Sequence, residues 1–158
     1  MYLSGMYEKD GKRFNCCESV IILVNDEIPL EGFGKGVMRA TSNLGGGGAG
    51  WGSLCGAVSG GCQVYGLLMG TNGDEDPEEF AVIRTKMREK TQVYLKAFEE
   101  RWGHVDCYDL LGANTRTEEG KKKYKENRAN GIYFCEDYVN WSADKIIELI
   151  RADPEIKL

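Results

Sequence analysis

Apolar residues recur every three or four positions along most of the chain, and glycine or proline separates the periodic segments. This spacing is typical of helices that bury one face, and no segment alternates convincingly in the manner of a β-strand. Residues that favour helix starts support the boundaries: Asn15 and Ser53 are predicted N-caps, and Asp76 precedes a proline and two acidic residues. The predicted helices cover residues 16–28, 36–44, 54–69, 77–102, 107–111, 118–125 and a last segment that begins around 134.

The sequence therefore predicts an all-α fold, a single-domain bundle of about five main helices with glycine-rich close packing. A chain of 158 residues buries a core without disulfides. Residues 1–13 are predicted to form an N-terminal extension, 14–151 the helical core that holds the cysteines, and 152–158 a tail. No stretch has the length of a membrane span, and the N-terminus lacks the apolar segment of a secretory signal, so we expect a cytoplasmic protein without a membrane partner.

Charge narrows the set of partners. The net charge of −5 argues against a nucleic-acid partner, because phosphates require a basic face. The only strongly basic run, residues 121–125, is flanked by acidic residues and is predicted to be a solvated helix face.

Residues 44–62, LGGGGAGWGSLCGAVSGGC, combine many glycines with two cysteines. A phosphate-binding loop is disfavoured, because no strand precedes the glycines and no Lys-Ser or Lys-Thr follows them. Glycines within a helix cost up to about 1 kcal/mol each relative to alanine, so their missing side chains must serve a purpose. Gly56 and Gly60 would let another backbone approach closely, which is the favoured explanation, or would leave room for a bulky non-protein group.

Six cysteines are present, and four of them fall at predicted helix starts. A helix N-terminus lowers the pKa of a thiol and favours the thiolate, the form that binds metals. Consecutive cysteines of this set are 39, 52 and 28 residues apart, a spacing that matches neither zinc fingers nor ferredoxins. If these cysteines share a metal, each ligand would come from a different helix. The four cysteines are Cys16, Cys55, Cys107 and Cys135.

The other two cysteines, Cys17 and Cys62, fit best as small buried residues. Cys62 lies seven residues after Cys55 on the same predicted helix face, so it is a secondary candidate as a substitute ligand or resolving thiol. His104 is the only histidine, and a structural role at the end of the long helix is favoured over ligation. Trp51 is predicted to lie in the core or an interface, with a cover over the site as the alternative.

Several separated motifs occur in a fixed order: NCCESV at 15–20, GGG at 45–47, CGAVSG at 55–60, CYDLLG at 107–112, and Cys135. In these motifs the chain resembles the C_GCAxxG_C_C family of redox-active proteins over about residues 15–150. The resemblance implies redox or metal function and places the family cysteines at Cys16, Cys55, Cys107 and Cys135. In split-Soret cytochromes, similar domains are associated with an iron–sulfur cluster. This chain lacks the C-x-x-C-H motif that attaches covalent haem. It also departs from the family motif in having Leu54, instead of glycine, before its central cysteine.

The leading hypothesis is an iron–sulfur cluster, [2Fe–2S] favoured, on these four cysteines, with Cys17 and Cys62 as secondary candidates. It would act in electron transfer or redox sensing with an unidentified redox partner protein, either as an oxidoreductase or as an electron-transfer component. One alternative is a structural zinc site. Another is a cluster-free thiol–disulfide protein in which Cys16 or Cys17 pairs with a distant cysteine. The glycine-rich helix surface is also compatible with a homodimer.

Overall fold

A computed structural model describes residues 2–3 and 6–158, and it confirms a predominantly helical fold. The described residues form seven helices rather than about five, and none of these helices is long and apolar enough to cross a membrane. They are α1 (Cys16–Glu27), α2 (Lys35–Thr41), α3 (Gly56–Met69), α4 (Pro77–Trp102), α5 (Cys107–Leu111), α6 (Glu118–Ala129) and α7 (Phe134–Ala152).

Three short strands correct the prediction that the chain has none. They are β1 (Tyr2–Leu3), β2 (Met6–Lys9) and β3 (Lys12–Arg13), and they pair antiparallel in that order. Asp10 and Gly11 have φ angles of 54° and 72°, the left-handed conformation of a tight hairpin turn between β2 and β3. Strands of two to four residues are too short to show an alternating pattern, but the Asp-Gly pair was a usable signal.

Three of the predicted helix starts are confirmed by their capping contacts. The Asn15 side chain accepts from the amide of Glu18 at 2.9 Å, and the Glu18 carboxylate accepts from the amide of Asn15, which completes a capping box. Asp76 and Thr117 likewise cap α4 and α6 through their side chains. Local side-chain chemistry therefore fixes these boundaries.

The prediction that Ser53 caps the third helix is wrong. Cys55 is the N-cap and α3 begins at Gly56, because Leu54 is held extended in an antiparallel bridge with Asp106. The short second helix ends at Thr41 instead of continuing to residue 44. Both errors lie where the backbone pairs with a distant segment or folds into the glycine loop.

The core forms where α1, α3, α4 and α7 pack together. Helix α1 is buried along residues 17–24. Helix α3 lies so close to it that a Cβ built on Gly60 would come within 2.8 Å of the Cys17 carbonyl oxygen. Tyr94 of α4 is fully buried; its hydroxyl donates to the Ala57 carbonyl and accepts from the Ser142 hydroxyl. The close helix packing predicted for the glycines is thus present in the structure.

Candidate metal centre

Four of the six cysteines surround a single cavity of about 420 Å³. Cys16 is the first residue of α1, Cys55 the N-cap of α3, Cys107 the first residue of α5, and Cys135 the second residue of α7. The structure therefore brings together the four cysteines singled out by the sequence, each from a different helix start. Neither Cys17 nor Cys62 lines this cavity.

Backbone pairing holds Cys55 and Cys107 on neighbouring segments. The amide of Cys107 donates to the Ser53 carbonyl at 2.7 Å, and the amide of Cys55 donates to the Val105 carbonyl at 2.8 Å. These two bonds flank the bridge between Leu54 and Asp106. The starts of α3 and α5 are consequently fixed side by side by hydrogen bonds that join residues 50 or more positions apart.

Gly56 brings the start of α3 against the start of α1. A Cβ built on Gly56 would lie 2.7 Å from the Cys16 Cβ and 3.3 Å from its sulfur. Real Cβ atoms do not approach so closely, so only glycine permits this contact without displacing Cys16. The glycine after Cys55 therefore serves the site directly.

The glycine-rich loop that precedes α3 forms another wall of the cavity. Gly45, Gly46 and Gly50 line it, and the loop is closed internally by hydrogen bonds from the amides of Gly52 and Ser53 to the carbonyls of Gly46 and Gly47. Left-handed backbone recurs through it, as at Gly46 and Gly50, where side chains are disfavoured. The glycines thus fold the loop tightly and also bring backbone next to the cavity.

The Cys16 thiol has the lowest pKa of the four. Its pKa falls to about 7, first because of a hydrogen bond with the Cys135 side chain and further because of the backbone amides of Gly46 and Cys16 itself, while burial acts in the opposite direction. The same hydrogen bond, together with burial, raises the pKa of Cys135 well above its ordinary value. In the metal-free protein the Cys16 thiolate is therefore favoured only above about pH 7, while Cys135 keeps its proton.

Burial dominates the remaining thiols. It raises the pKa of Cys107 to about 11 and that of Cys55 further, although the Ala57 and Val58 amides at the start of α3 partly oppose the effect at Cys55. Away from the cavity, burial raises the pKa of Cys17 to about 11 and also raises that of Cys62. Three thiols of the site would thus be protonated without a metal, so metal binding must displace their protons.

Polar side chains that the sequence analysis did not assign to the site also reach the cavity. Lys121 and Lys125 line it, although their basic run was predicted to be only a solvated face. Tyr124 lines it as well, and its hydroxyl donates to the Cys135 sulfur at 3.9 Å. A helical pattern from 118 shows that these residues share a turn, but it does not show what α6 faces.

The other two sequence candidates stay outside the cavity. Trp51 is 62% exposed and Arg116 lies over its ring at 4.5 Å, so the expectation of a core position is wrong. His104 is exposed and follows Gly103, which ends α4. Neither side chain lines the cysteine cavity.

Over the described residues, no group of three or more His, Cys, Asp or Glu side chains is arranged to hold one metal ion. The four cysteines instead stand around a cavity. A mononuclear zinc site needs four ligands on one ion. A [2Fe–2S] cluster is likewise held by four cysteine thiolates. The four thiols therefore form a donor set whose chemistry suits a bound metal or a metal cluster.

The comparison with known families gives a match over most of the chain. The family described as "Putative redox-active protein (C_GCAxxG_C_C)" matches residues 14–149, and the chain belongs to this family. This confirms the resemblance drawn from the motifs. Neither curated proteins nor solved structures give a significant match.

Alkylation of the metal-free protein provides a first prediction. Iodoacetamide should modify Cys16 faster than the other three cavity thiols, because only the thiolate reacts and Cys16 has the lowest pKa. The rate at Cys16 should fall as the pH drops through about 7, because the thiol is protonated below its pKa. In Cys135→Ala the midpoint should move to higher pH, since the largest stabilising contact is lost. Mass spectrometry of the labelled peptides measures this. An unchanged midpoint in Cys135→Ala, or a shift of the same size in Cys62→Ala, would contradict the assignment.

Proposed function

We propose that this protein holds an iron–sulfur cluster, [2Fe–2S], on Cys16, Cys55, Cys107 and Cys135, and acts in electron transfer or redox sensing. The observation that carries the proposal is the meeting of these four thiols, from four helix starts, around one cavity. Membership of a redox-active family supports it. When bound, such a cluster accepts and releases single electrons.

Besides supplying the four ligands, the chain would stabilise the negative charge of the cluster and its thiolates. Four thiolates carry a large negative charge, and each cysteine lies at the positive end of a helix or beside it. The Gly46 amide supplies a hydrogen bond to Cys16. Hydrogen bonds and burial of this kind set the reduction potential of iron–sulfur centres.

Metal and sulfide analysis tests the proposal. Protein purified without oxygen or added metal should show broad visible absorption, with two irons and two acid-labile sulfides per chain. A colourless protein with one zinc per chain would support a structural zinc site and overturn the proposal. Iron without sulfide would also contradict it.

A second candidate, a cluster-free thiol–disulfide protein, is favoured by the contact between Cys16 and Cys135. The Cys16 thiolate would attack a small disulfide such as oxidised glutathione and release one thiolate. The Cys135 thiol would then lose its proton, displace the second glutathione and close a Cys16–Cys135 disulfide. Glutathione treatment of protein that lacks metal as purified should then yield this disulfide in stoichiometric amount. Its absence in such protein would eliminate the candidate.

We further propose that the redox partner protein docks at the side of the cavity formed by α6. Residues 112–129 carry six basic and three acidic side chains, whereas the rest of the chain carries 14 basic and 22 acidic ones. Lys125 makes no ion pair with the described residues and lines the cavity together with Lys121. A local positive field beside the site favours an acidic partner and speeds its encounter.

Ferricyanide, a small anionic oxidant, probes this field. Its oxidation of the reduced protein should slow at least about fivefold when Lys121 and Lys125 are both replaced by glutamate, and the difference should shrink at high salt. The matched control replaces Lys35 and Lys96, which do not line the cavity, and changes the net charge equally. Equal rates in the two double variants would contradict docking at α6.

A further inference from the structure

The carboxylate next to Cys135 is buried, which is unusual for a charged side chain. Glu136 is 2% exposed, and one of its oxygens, Oε1, accepts from Arg13 and from Arg128, the latter at 2.6 Å. Its second oxygen is buried and has no hydrogen-bond partner among the described residues. By its position in the sequence Glu136 is an ordinary acidic residue in the first turn of α7, but the structure shows that it is the centre of two ion pairs.

Arg128 connects this centre to a ligand candidate. Besides contacting Glu136, its guanidinium donates to the Tyr124 hydroxyl at 3.5 Å. The Tyr124 hydroxyl in turn donates to the Cys135 sulfur at 3.9 Å. A continuous set of polar contacts therefore joins Glu136 to Cys135, its neighbour in the chain. The contacts pass through Arg128 and Tyr124.

We propose that Tyr124, held by Arg128 and Glu136, is a positioning residue that sets the reduction potential of the cluster through its hydrogen bond to Cys135. The inference rests on the proposed function and adds to it a specific control of that site. Outer groups that hydrogen-bond to ligands orient them and tune the metal they bind. A donor to a ligand sulfur stabilises the more negative, reduced state and so raises the potential.

The charges of the same network also affect the reduction potential of the cluster. Two arginines face one carboxylate, so the group has a net positive charge beside Cys135. During reduction one electron enters the cluster from the reductant, and the tyrosine keeps its proton. Neutralising Glu136 would leave both arginine charges uncompensated and would favour that electron. The hydroxyl and the carboxylate are therefore expected to shift the potential in opposite directions when each is removed.

The test is a dithionite titration with mediator dyes on cluster-loaded protein. Tyr124→Phe should lower the equilibrium constant for one-electron reduction about tenfold, which corresponds to ~59 mV. Tyr133→Phe is the matched control, because the Tyr133 ring also lies near Arg128, at 5.0 Å, while its hydroxyl makes no hydrogen bond to a cysteine among the described residues. An unchanged potential in Tyr124→Phe, or an equal change in Tyr133→Phe, would overturn the inference.

Glu136→Gln supplies the opposite sign and an independent measurement. Glutamine keeps an oxygen that accepts from both arginines, so we expect the cluster to be retained and the equilibrium constant for reduction to rise about tenfold. If Glu136 had only a structural role, Glu136→Gln would lose the cluster or leave the reduction potential unchanged. A fall in the equilibrium constant for reduction in Glu136→Gln would also overturn the inference. If the wild-type protein bound no cluster, the proposed function itself would fail. A loaded wild type with unshifted variants would refute the inference alone.

Discussion

Replacing Gly56 by alanine is expected to abolish cluster binding and to destabilise the fold. The added Cβ would lie 2.7 Å from the Cys16 Cβ and 3.1 Å from the Cys17 amide nitrogen, and both contacts are with buried or helical groups that cannot move freely. Forcing a methyl group into a close-packed site costs about 1–3 kcal/mol. The start of α1 would have to withdraw from α3, and Cys16 would move away from the cavity. Iron content and the urea midpoint measure the two effects.

Gly66 offers a matched control on the same helix. A Cβ there meets nothing within 4 Å, and its φ is not left-handed. Alanine should therefore stabilise α3 by up to about 1 kcal/mol through helix propensity and leave iron content unchanged. If Gly56→Ala bound iron as the wild type does, or if both substitutions behaved alike, the role assigned to Gly56 would be wrong.

Serine substitutions of the cysteines should separate ligands from bystanders. Cys16→Ser, Cys55→Ser, Cys107→Ser and Cys135→Ser should each lose most of the visible absorption and iron, because an alcohol is a far weaker ligand than a thiolate for iron. Cys62→Ser should keep both, since Cys62 is half-buried on α3 and does not line the cavity. The change in size is the same in every variant.

Two outcomes would contradict this division. Loss of the chromophore in Cys62→Ser would show that the secondary candidate is a ligand. Full iron and colour in Cys55→Ser would remove the residue at the centre of the glycine-rich motif from the ligand set. Far-UV circular dichroism on each variant checks that the loss of iron does not follow from loss of the fold.

Sequence information was sufficient where the determining contacts are local. Asn15 caps α1 through the residue three positions on, and Asp76 with Pro77 starts α4, so both boundaries were predictable from a few letters. The same local reasoning placed four cysteines at helix starts, and the structure gathers those four at one cavity. The helical periodicity also gave the fold class.

The sequence was insufficient where distant segments meet. The start of α3 is set by the pairing of Leu54 with Asp106, so Ser53 could not be excluded as a cap from its neighbours alone. Glu136 resembles a first-turn acid in sequence, and its burial depends on Arg13 and Arg128 from two other elements. Likewise, Lys121 reaches the cavity only because α6 packs with that turn toward it. Such positions require the tertiary arrangement.

The most direct test is a crystal structure of protein purified without oxygen, with anomalous diffraction data recorded at the iron absorption edge. We expect two iron peaks within the cavity, each bonded to two of the sulfurs of Cys16, Cys55, Cys107 and Cys135. A single peak at the zinc edge, or iron bound away from these four sulfurs, would contradict it.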